Sequence, residues 1–270
     1  MTREKVHVTQ LSFASSFLFA KRLGAQVVLH TDRLGAMMLS DIPYDNVYVY
    51  LDDLPKGIAP FWAFGKLYAT AREQLGSIHI DGDVFLKEQS LTSLFDGKYD
   101  LLVQNEEGEK WRIDNTYAYS QTAIGAENMT SGCHIGYPLS YNCGVTQFMN
   151  ANLKKAYIDM YFATVDKVLH DPTYFQRADK ILNDPRRKGF ICPDIVVEQQ
   201  CLHEIATRMQ ANVKVVLDGD INECAERIGY CHLLSSNKYK MQDELNGLLK
   251  QLDPELHTKV TSNVVWKSNS

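Results

Sequence analysis

The sequence lacks long apolar runs, a signal-peptide layout and an excess of basic residues. None of its apolar stretches approaches the roughly 18 consecutive residues of a membrane span, and Lys21 and Arg22 soon follow the longest apolar stretch near the start. The formal net charge of −5 is opposite to the basic balance that nucleic-acid binders normally show. These absences predict a cytoplasmic protein with no nucleic-acid partner and at most peripheral membrane association.

Paired cysteine motifs are also missing. The chain has six cysteines, and no two of them form a C-x-x-C pair. Because structural zinc sites usually present such pairs, the spacing argues against one. In a reducing compartment the six side chains are expected to be free thiols, most of them buried.

No Pro/Gly/Ser-rich linker, internal repeat or low-complexity segment divides the chain. We therefore expect a single domain over residues 1–270. Strand and helix patterns alternate through most of the sequence, which is typical of an α/β fold. The clearest helix covers residues 60–75 and leads into an apolar strand over residues 77–80. Residues 105–130 have no steady period and are predicted to be loop or irregular structure.

The most informative local feature is the acidic turn Asp81-Gly82-Asp83, at the end of that apolar strand. Open α/β sheets bind their ligands at the carboxyl ends of strands. A glycine between two aspartates permits a turn that brings both carboxylates to one cation, and oxygen ligands suit Mg²⁺ or Mn²⁺. The alternative is an ordinary surface turn, since Asp and Gly are common in turns.

Four segments in this chain order resemble the motifs of GT-A glycosyltransferases, in particular the glycogenin-like and bacterial galactosyltransferase-like group. The segments are Phe64-Gly65-Lys66-Leu67, Ile78-His79-Ile80-Asp81-Gly82-Asp83-Val84, Tyr141-Asn142-Cys143-Gly144-Val145 and His232-Leu233-Leu234-Ser235-Ser236-Asn237-Lys238. The second is similar to the family's D-x-D motif and the last to its H-x5-K motif. The resemblance implies a GT-A-like (Rossmann-like) mixed sheet flanked by helices.

The resemblance also implies a metal site. Asp81, Asp83 and His232 would hold Mn²⁺ or Mg²⁺, Asp81 would also contact the ribose, and Lys238 would stabilise the charge of the leaving diphosphate. Taken alone, a histidine is more often a satisfied core or surface residue. Lys238 is open to a second interpretation as an exposed lysine at a helix start.

Further residues are matched to the donor sugar and the acceptor. Lys66 would be directed at the donor, Asn142 and Gly144 would border the sugar, and Glu198 would orient an acceptor hydroxyl or act as a base. Each has a structural alternative. On a helical wheel Lys66 lies opposite the apolar face, as a solvated lysine would. Asn142 and Gly144 also fit a turn without a ligand, and Glu198 also fits the first turn of a helix, where it complements the dipole.

The start of the chain departs from the family pattern. The family generally opens with an apolar strand that binds the nucleoside, whereas residues 1–9 are mostly polar and make a poor core strand. Thr31 and Asp32, which follow a predicted strand over residues 26–30, fall where a uridine or ribose contact is expected; both also fit a helix cap. Residues 105–141 form a long segment that we interpret as a possible acceptor-side insertion.

The sequence therefore predicts a metal-dependent transferase that moves a hexose from a nucleotide diphosphate sugar, with a UDP-sugar favoured, to a glycan or glycolipid. A nucleotidyltransferase is one alternative, but such enzymes usually carry an early glycine-rich, basic phosphate loop, and none precedes Asp81. A second alternative is a catalytically silent relative that binds glycans or a partner protein. The weak N-terminal strand is its main support.

Overall fold

A computed structural model of the chain describes residues 3–55, 57–58, 60–87, 94–108, 116–130, 133–185, 190–233 and 235–262. Its α-helices are α1 (Arg3–Arg22), α2 (Arg33–Met38), α3 (Phe64–Arg72), α4 (Thr116–Ile124), α5 (Ala151–His170), α6 (Pro172–Leu182), α7 (Cys201–Arg208), α8 (Ile221–Ile228), α9 (Gln242–Leu252) and α10 (Pro254–Ser262). Its strands are β1 (Val28–Thr31), β2 (Asn46–Val49), β3 (Ile78–Ile80), β4 (Val84–Leu86), β5 (Leu101–Glu107), β6 (Ser140–Phe148), β7 (Val213–Val215) and β8 (Tyr230–His232). The predicted α/β class is confirmed.

The strands form three sheets within these ranges, whereas the sequence predicts one. The largest has the order β3-β6-β5-β7 and is mixed, because β5 pairs antiparallel with β6 and parallel with β7. Strands β1 and β2 form a parallel pair, and β4 and β8 form an antiparallel pair.

The chain divides into two compact units, each made from separate segments. Unit 1 contains residues 1–53, 80–96 and 219–270, and unit 2 contains residues 54–79 and 97–218. Each unit has its own hydrophobic core. The single domain over residues 1–270 stays a prediction.

The core of unit 1 is organised by α1, which packs against α9, α10 and β4. The helix begins at Arg3 and ends at Arg22. Val8, Leu11, Ser15 and Phe19 recur at helical spacing, and all four are buried. Residues 3–9 are therefore helical and do not form the poor core strand considered for this part of the chain.

The core of unit 2 lies around β5, β6 and α5. Here the predicted irregular stretch over residues 105–130 was wrong in two places, because β5 continues to Glu107 and α4 follows. Residues 109–115 and 131–132 of the proposed insertion lie outside the described residues. The sequence of α4 shows no helical period of apolar residues because several of its buried side chains are polar, among them Ser120 and Gln121.

Near the end of the described chain α8 ends at Ile228 and is followed by β8. Helices α9 and α10 come last among the described elements. Among the described helices, none combines the length and apolar character that crossing a membrane requires.

Candidate functional site

The acidic turn of unit 1 is built against α1. Ser12 Oγ donates a hydrogen bond to the backbone oxygen of Gly82, at 2.8 Å. A Cβ atom placed on Gly82 would lie 2.3 Å from Phe13 Cε2, which is closer than atoms can approach. A larger residue here would therefore push the ring of Phe13 aside, and the contacts of α1 fix the position of the turn that carries the two aspartates.

His232 reaches the same turn through the pairing of β4 with β8. In the register of this pair His232 lies opposite Val84, the residue that follows Asp83, so the His232 side chain is placed at the acidic turn. The backbone N–H of Leu233 donates to the backbone oxygen of Asp83 at 3.0 Å and extends this contact. Gly229 caps α8 in the left-handed conformation, φ 66°, and turns the chain into β8.

Asp81, Asp83 and His232 form a cluster that fits a divalent cation. One ligand atom from each lies within 4.8 Å of the others. The site is partly buried, with 14% of the Asp83 side chain and 10% of the His232 side chain exposed. Two carboxylates suit Mg²⁺ or Mn²⁺, and the imidazole favours Mn²⁺ of the two. The donor set therefore fits the predicted metal.

Lys238 lies beside this cluster, in a 3₁₀ helix over Ser235–Lys240. Its Nζ donates to Asp83 Oδ2 at 2.9 Å, and His232 Nε2 lies 3.4 Å from Asp83 Oδ1. Burial acts to raise the pKa of Asp83, but the hydrogen bonds and charges of His232 and Lys238 outweigh it, so the net pKa is lowered. Asp83 is thus a carboxylate that stays ionised at neutral pH, between Lys238 and His232.

Thr31 and Asp32 belong to the β1 end of unit 1. Asp32 is the N-cap of α2, and its Oδ1 accepts a hydrogen bond from Gly35 N at 2.6 Å. The alternative that Asp32 is a helix cap is confirmed, whereas Thr31 ends β1 and is not the cap. Next to them, His30 Nδ1 and Tyr50 Oη are 2.6 Å apart. A nucleoside contact by Thr31 or Asp32 stays a prediction.

Unit 2 contains a second polar cluster, around Lys66 and Glu198. Lys66 Nζ lies 2.8 Å from Glu198 Oε1 and donates to the backbone oxygen of Cys143 at 2.9 Å. Only 12% of the Lys66 side chain and 1% of the Glu198 side chain are exposed. The interpretation of Lys66 as a solvated lysine was therefore wrong, and Glu198 is too deeply buried to serve only the dipole of a surface helix.

Glu198 stands on a π-helix over Ile195–Gln200, a rare conformation that is frequent at functional sites. Asp194 precedes this helix, and its Oδ1 accepts from Tyr161 Oη at 2.7 Å while its Oδ2 accepts from the backbone N–H of Ala63. Burial, and next the charge of Glu198, raise the pKa of Asp194 to about 7.

A cavity of about 10 Å³ lies beside Lys66 and Glu198. Cys143, Thr146 and Tyr157 contribute to its lining. The Oε2 atom of Glu198 is buried and has no hydrogen-bond partner among the described residues. A cavity of this size holds roughly one water molecule, so it accepts a single hydroxyl group but not a sugar ring.

Asn142 and Gly144 lie in β6 and not in a turn, so that alternative was wrong. The Asn142 amide nitrogen donates to Glu107 Oε1 at 3.0 Å, and its oxygen accepts from Gly144 N at 3.0 Å. The side chain is nearly buried. A sugar contact by Asn142 therefore competes with hydrogen bonds inside the protein.

Ser12, Phe13 and Asp194 were missed as site residues from the sequence. Asp194 left a signal, because it lies four residues before Glu198 and apolar side chains fill the interval. Two carboxylates at that spacing lie on one face of a helix and are costly to bury without a purpose. Ser12 and Phe13 left none, since their role depends on a contact 70 residues away.

Comparison with known proteins assigns the chain to a family without assigning it a chemistry. No curated protein and no solved structure matches it significantly. Residues 3–263 match the model of a family of unknown function, DUF6734. Since the match covers nearly the whole chain, the protein belongs to the DUF6734 family.

Proposed function

We propose that the protein is a metal-dependent glycosyltransferase, which moves a hexose from a nucleotide diphosphate sugar to a hydroxyl group of a glycan or glycolipid. The observation that carries the proposal is the cluster of Asp81, Asp83 and His232, whose ligand atoms lie within 4.8 Å of one another. These residues come from the D-x-D and H-x5-K segments, on which the resemblance to GT-A enzymes rests. The GT-A fold is part of the same proposal.

In this proposal Mn²⁺, or Mg²⁺, supplies positive charge that offsets the diphosphate leaving group. Asp81, Asp83 and His232 hold the ion. Lys238 is the cation next to Asp83, and we assign to it the remaining charge of the diphosphate. Thr31 and the neighbouring β1–β2 edge are assigned to the nucleoside, with uridine favoured.

In unit 2, taken by itself, we assign Lys66 and Glu198 to the binding of a hydroxyl group. Glu198 Oε2 is buried with no hydrogen-bond partner among the residues that the structure describes, so it is able to accept the hydrogen of one inserted hydroxyl group. Lys66 holds the other oxygen of that carboxylate. This arrangement supports a role for Glu198 in orienting a hydroxyl or removing its proton.

A catalytically silent relative is the second candidate, and one observation favours it. The Asp83 carboxylate already has two neighbours inside the protein, since Lys238 Nζ donates to Oδ2 at 2.9 Å and His232 Nε2 lies 3.4 Å from Oδ1, so its oxygens have partners without a metal. A protein of this kind would bind a glycan or a partner with no dependence on Mn²⁺. Cytoplasmic residence, with at most peripheral membrane contact, stays a prediction under both candidates.

The test is calorimetric titration of UDP and of GDP into the protein, each with and without Mn²⁺. We expect UDP to bind only with Mn²⁺, and Asp83→Ala to weaken that binding by at least about tenfold, because one charge-assisted ligand is lost. Lys238→Met should weaken UDP binding while Mn²⁺ alone still binds. Release of UDP from a UDP-hexose would then identify turnover.

Asp243→Asn is the matched control, since it removes one exposed carboxylate of α9 in the same unit. It should bind UDP and Mn²⁺ as the wild type does. Binding of neither nucleotide, with or without metal, would overturn the proposal. Glycan binding that is indifferent to Mn²⁺ would establish the silent relative instead.

A further inference from the structure

Three aromatic side chains of unit 2 are exposed around the buried residue Cys192. Trp62, Phe175 and Phe190 are 56%, 61% and 56% exposed. They come from separate parts of the sequence, and each is connected to Cys192 by a hydrogen bond, by a ring contact or by short sequence distance. Large aromatic residues usually bury most of their surface, so a group of three exposed rings points to a ligand.

The ring of Trp62 is held in place by Cys192. Its Nε1–H donates to Cys192 Sγ at 3.3 Å. Phe61 and Ala63, on either side of it in the sequence, are buried and anchor the backbone in the core. The polar N–H of the indole is thus taken up inside the protein, and the exposed surface of the ring is mainly carbon.

Two hydroxyl groups of α4 position the segment that presents Phe190. The backbone N–H of Phe190 donates to Thr116 Oγ1 at 3.4 Å, and that of Cys192 donates to Ser120 Oγ at 2.8 Å. Thr116 and Ser120 are four residues apart and lie on one face of the helix. The buried polar side chains of α4 therefore fix this segment from within the protein.

Phe175, in the first turn of α6, is connected to the same place through Tyr174. The two rings are 5.1 Å apart with an interplanar angle of 71°, which is an edge-to-face contact. Burial, and next Cys192, raise the pKa of Tyr174 to about 12, so the Tyr174 side chain lies close to Cys192. Packing thus fixes the ring of Phe175 as Cys192 fixes that of Trp62.

We propose that Trp62, Phe175 and Phe190 form a carbohydrate-binding platform, on which the rings of a chain of neutral hexoses stack. The face of an aromatic ring carries partial negative charge, and it attracts the C–H groups that one face of a hexose presents. Rings that are already held in one orientation lose little entropy when a sugar binds. The platform itself carries no charged side chain, which suits a neutral ligand.

The area of the platform argues against a protein partner. Since an aromatic side chain offers about 150–250 Å², the exposed fractions of the three leave roughly 250–450 Å² in all. A standard protein interface takes about 800 Å² from each partner. The smaller area suits a narrow ligand such as a short glycan.

The platform lies at the start of the two elements that carry the Lys66–Glu198 pair. Trp62 precedes Lys66 of α3 by four residues, and Cys192 precedes Glu198 of the π-helix by six. We therefore assign the platform to the sugar units that precede the reacting end of the acceptor. Only this assignment rests on the proposed function, since the stacking depends on the three rings alone.

Fluorine NMR of the full chain, labelled with fluorotryptophan, tests the platform without nucleotide or metal. The resonance of Trp62 is identified as the one that disappears in Trp62→Phe. Maltohexaose, cellohexaose and mannohexaose are each added up to about 10 mM, because stacking on a few rings gives roughly millimolar affinity. We expect the Trp62 resonance to shift and saturate with at least one of them.

Variants of the other two rings measure their share of the binding. Phe175→Ala and Phe190→Ala should each weaken it about three- to tenfold, because each removes one stacking ring. Phe190→Tyr keeps the ring and should bind as the wild type does. Met209→Ala is the control, since it shortens an exposed apolar side chain at the end of α7 in the same unit.

No shift of the Trp62 resonance with any of the three saccharides would overturn the inference, as would binding that both alanine variants leave intact. Vesicles of phosphatidylcholine and phosphatidylglycerol form a second arm, since the basic residues of the sequence at positions 186–188, outside the described residues, favour an anionic membrane. Cosedimentation that depends on Phe175 and Phe190, without a saccharide shift, would assign the rings to lipid instead.

The two proposals fail separately, because the saccharide titration contains no nucleotide and the nucleotide titration contains no saccharide. A saccharide shift without UDP binding removes the transferase and leaves the platform to the silent relative. Metal-dependent UDP binding without a saccharide shift removes only the platform.

Discussion

Asp83 in unit 1 and Asp194 in unit 2 are both poorly exposed carboxylates beside a lysine, yet their pKa values move in opposite directions. Asp83 lies between Lys238 and His232, and its pKa is lowered despite burial. Asp194 shares Lys66 with Glu198, and its pKa is raised to about 7. Burial acts to raise both pKa values; at Asp83 the hydrogen bonds and charges of His232 and Lys238 outweigh it, whereas at Asp194 the charge of Glu198 adds to it.

The two clusters therefore suit different chemistry. A carboxylate that stays ionised is a ready ligand for a metal ion, which is the role proposed for Asp83. A carboxylate that titrates near pH 7 changes the charge of its surroundings in the range where cells operate. Each prediction below alters one cluster and uses the other as its reference.

The largest expected effect follows the loss of the lysine from each cluster. Lys66→Met leaves Asp194 and Glu198 buried without a cation from the described part of the chain, which should lower the free energy of unfolding by about 3 kcal/mol or more. Lys238→Met should cost only about 1 kcal/mol, because Lys238 is 26% exposed and His232 remains beside Asp83. Urea denaturation at pH 7.5 measures both. Equal losses would show that the groups facing the two carboxylates do not account for the difference between them.

A smaller effect is expected where the unit 1 cluster depends on packing. Gly82→Ala forces the ring of Phe13 to move, which should cost about 2 kcal/mol. Mn²⁺ affinity should fall as well, since the turn carries both aspartates. Gly247→Ala in α9 is the reference, because no atom lies within 4 Å of the added Cβ.

That reference variant should be neutral or more stable by roughly 0.5 to 1 kcal/mol, as expected for alanine in place of glycine in a helix. Thermal unfolding and a manganese titration distinguish the two. If Gly82→Ala unfolds and binds Mn²⁺ as the wild type does, α1 is not what shapes the acidic turn.

The unit 1 cluster could be predicted from the sequence because its chemistry is local. An apolar strand leads into Asp81, and His232 and Lys238 are six residues apart, so short motifs placed all four residues together. The distances bear out the neighbourhood, although they do not test the metal. The prediction was wrong at the N-terminus. There the polar residues between Val8 and Leu11 hide the helical spacing of the buried residues, which only the structure reveals.

The unit 2 cluster could be predicted only in part. Lys66 and Glu198 were singled out, but the wheel placed Lys66 on a solvated face, since a helical wheel cannot tell solvent from a buried carboxylate. The hydrogen bond from the backbone N–H of Ala63, at the start of α3, to Asp194 joins residues 131 positions apart, and no local sequence pattern indicates such a pair. Burial of a charge is decided by tertiary structure, which is why its pKa could not be foreseen.

An effect smaller than that of Gly82→Ala separates the two aspartates by their dependence on pH. Asp194 has a pKa near 7 in the folded chain and an ordinary low pKa when unfolded, so its contribution to stability is lost as pH rises towards 7 and levels off above it. Between pH 6 and pH 8 this loss should be about 1.4 kcal/mol. Subtracting the profile of Asp194→Asn from that of the wild type isolates it from other titrating groups.

The lowered pKa of Asp83 makes stability depend on pH in the opposite direction. The stabilisation by Asp83 is complete above the ordinary pKa of an aspartate and is lost only as pH falls through the acid range. Asp83→Asn should therefore lower stability by the same amount at pH 6 and pH 8, leaving the slope of the wild type in place. Urea midpoints for the two variants at pH 6, 7 and 8 make the comparison. A slope that survives Asp194→Asn but disappears with Asp83→Asn would show that the titrating carboxylate belongs to unit 1, and that sharing one lysine does not raise the pKa of Asp194.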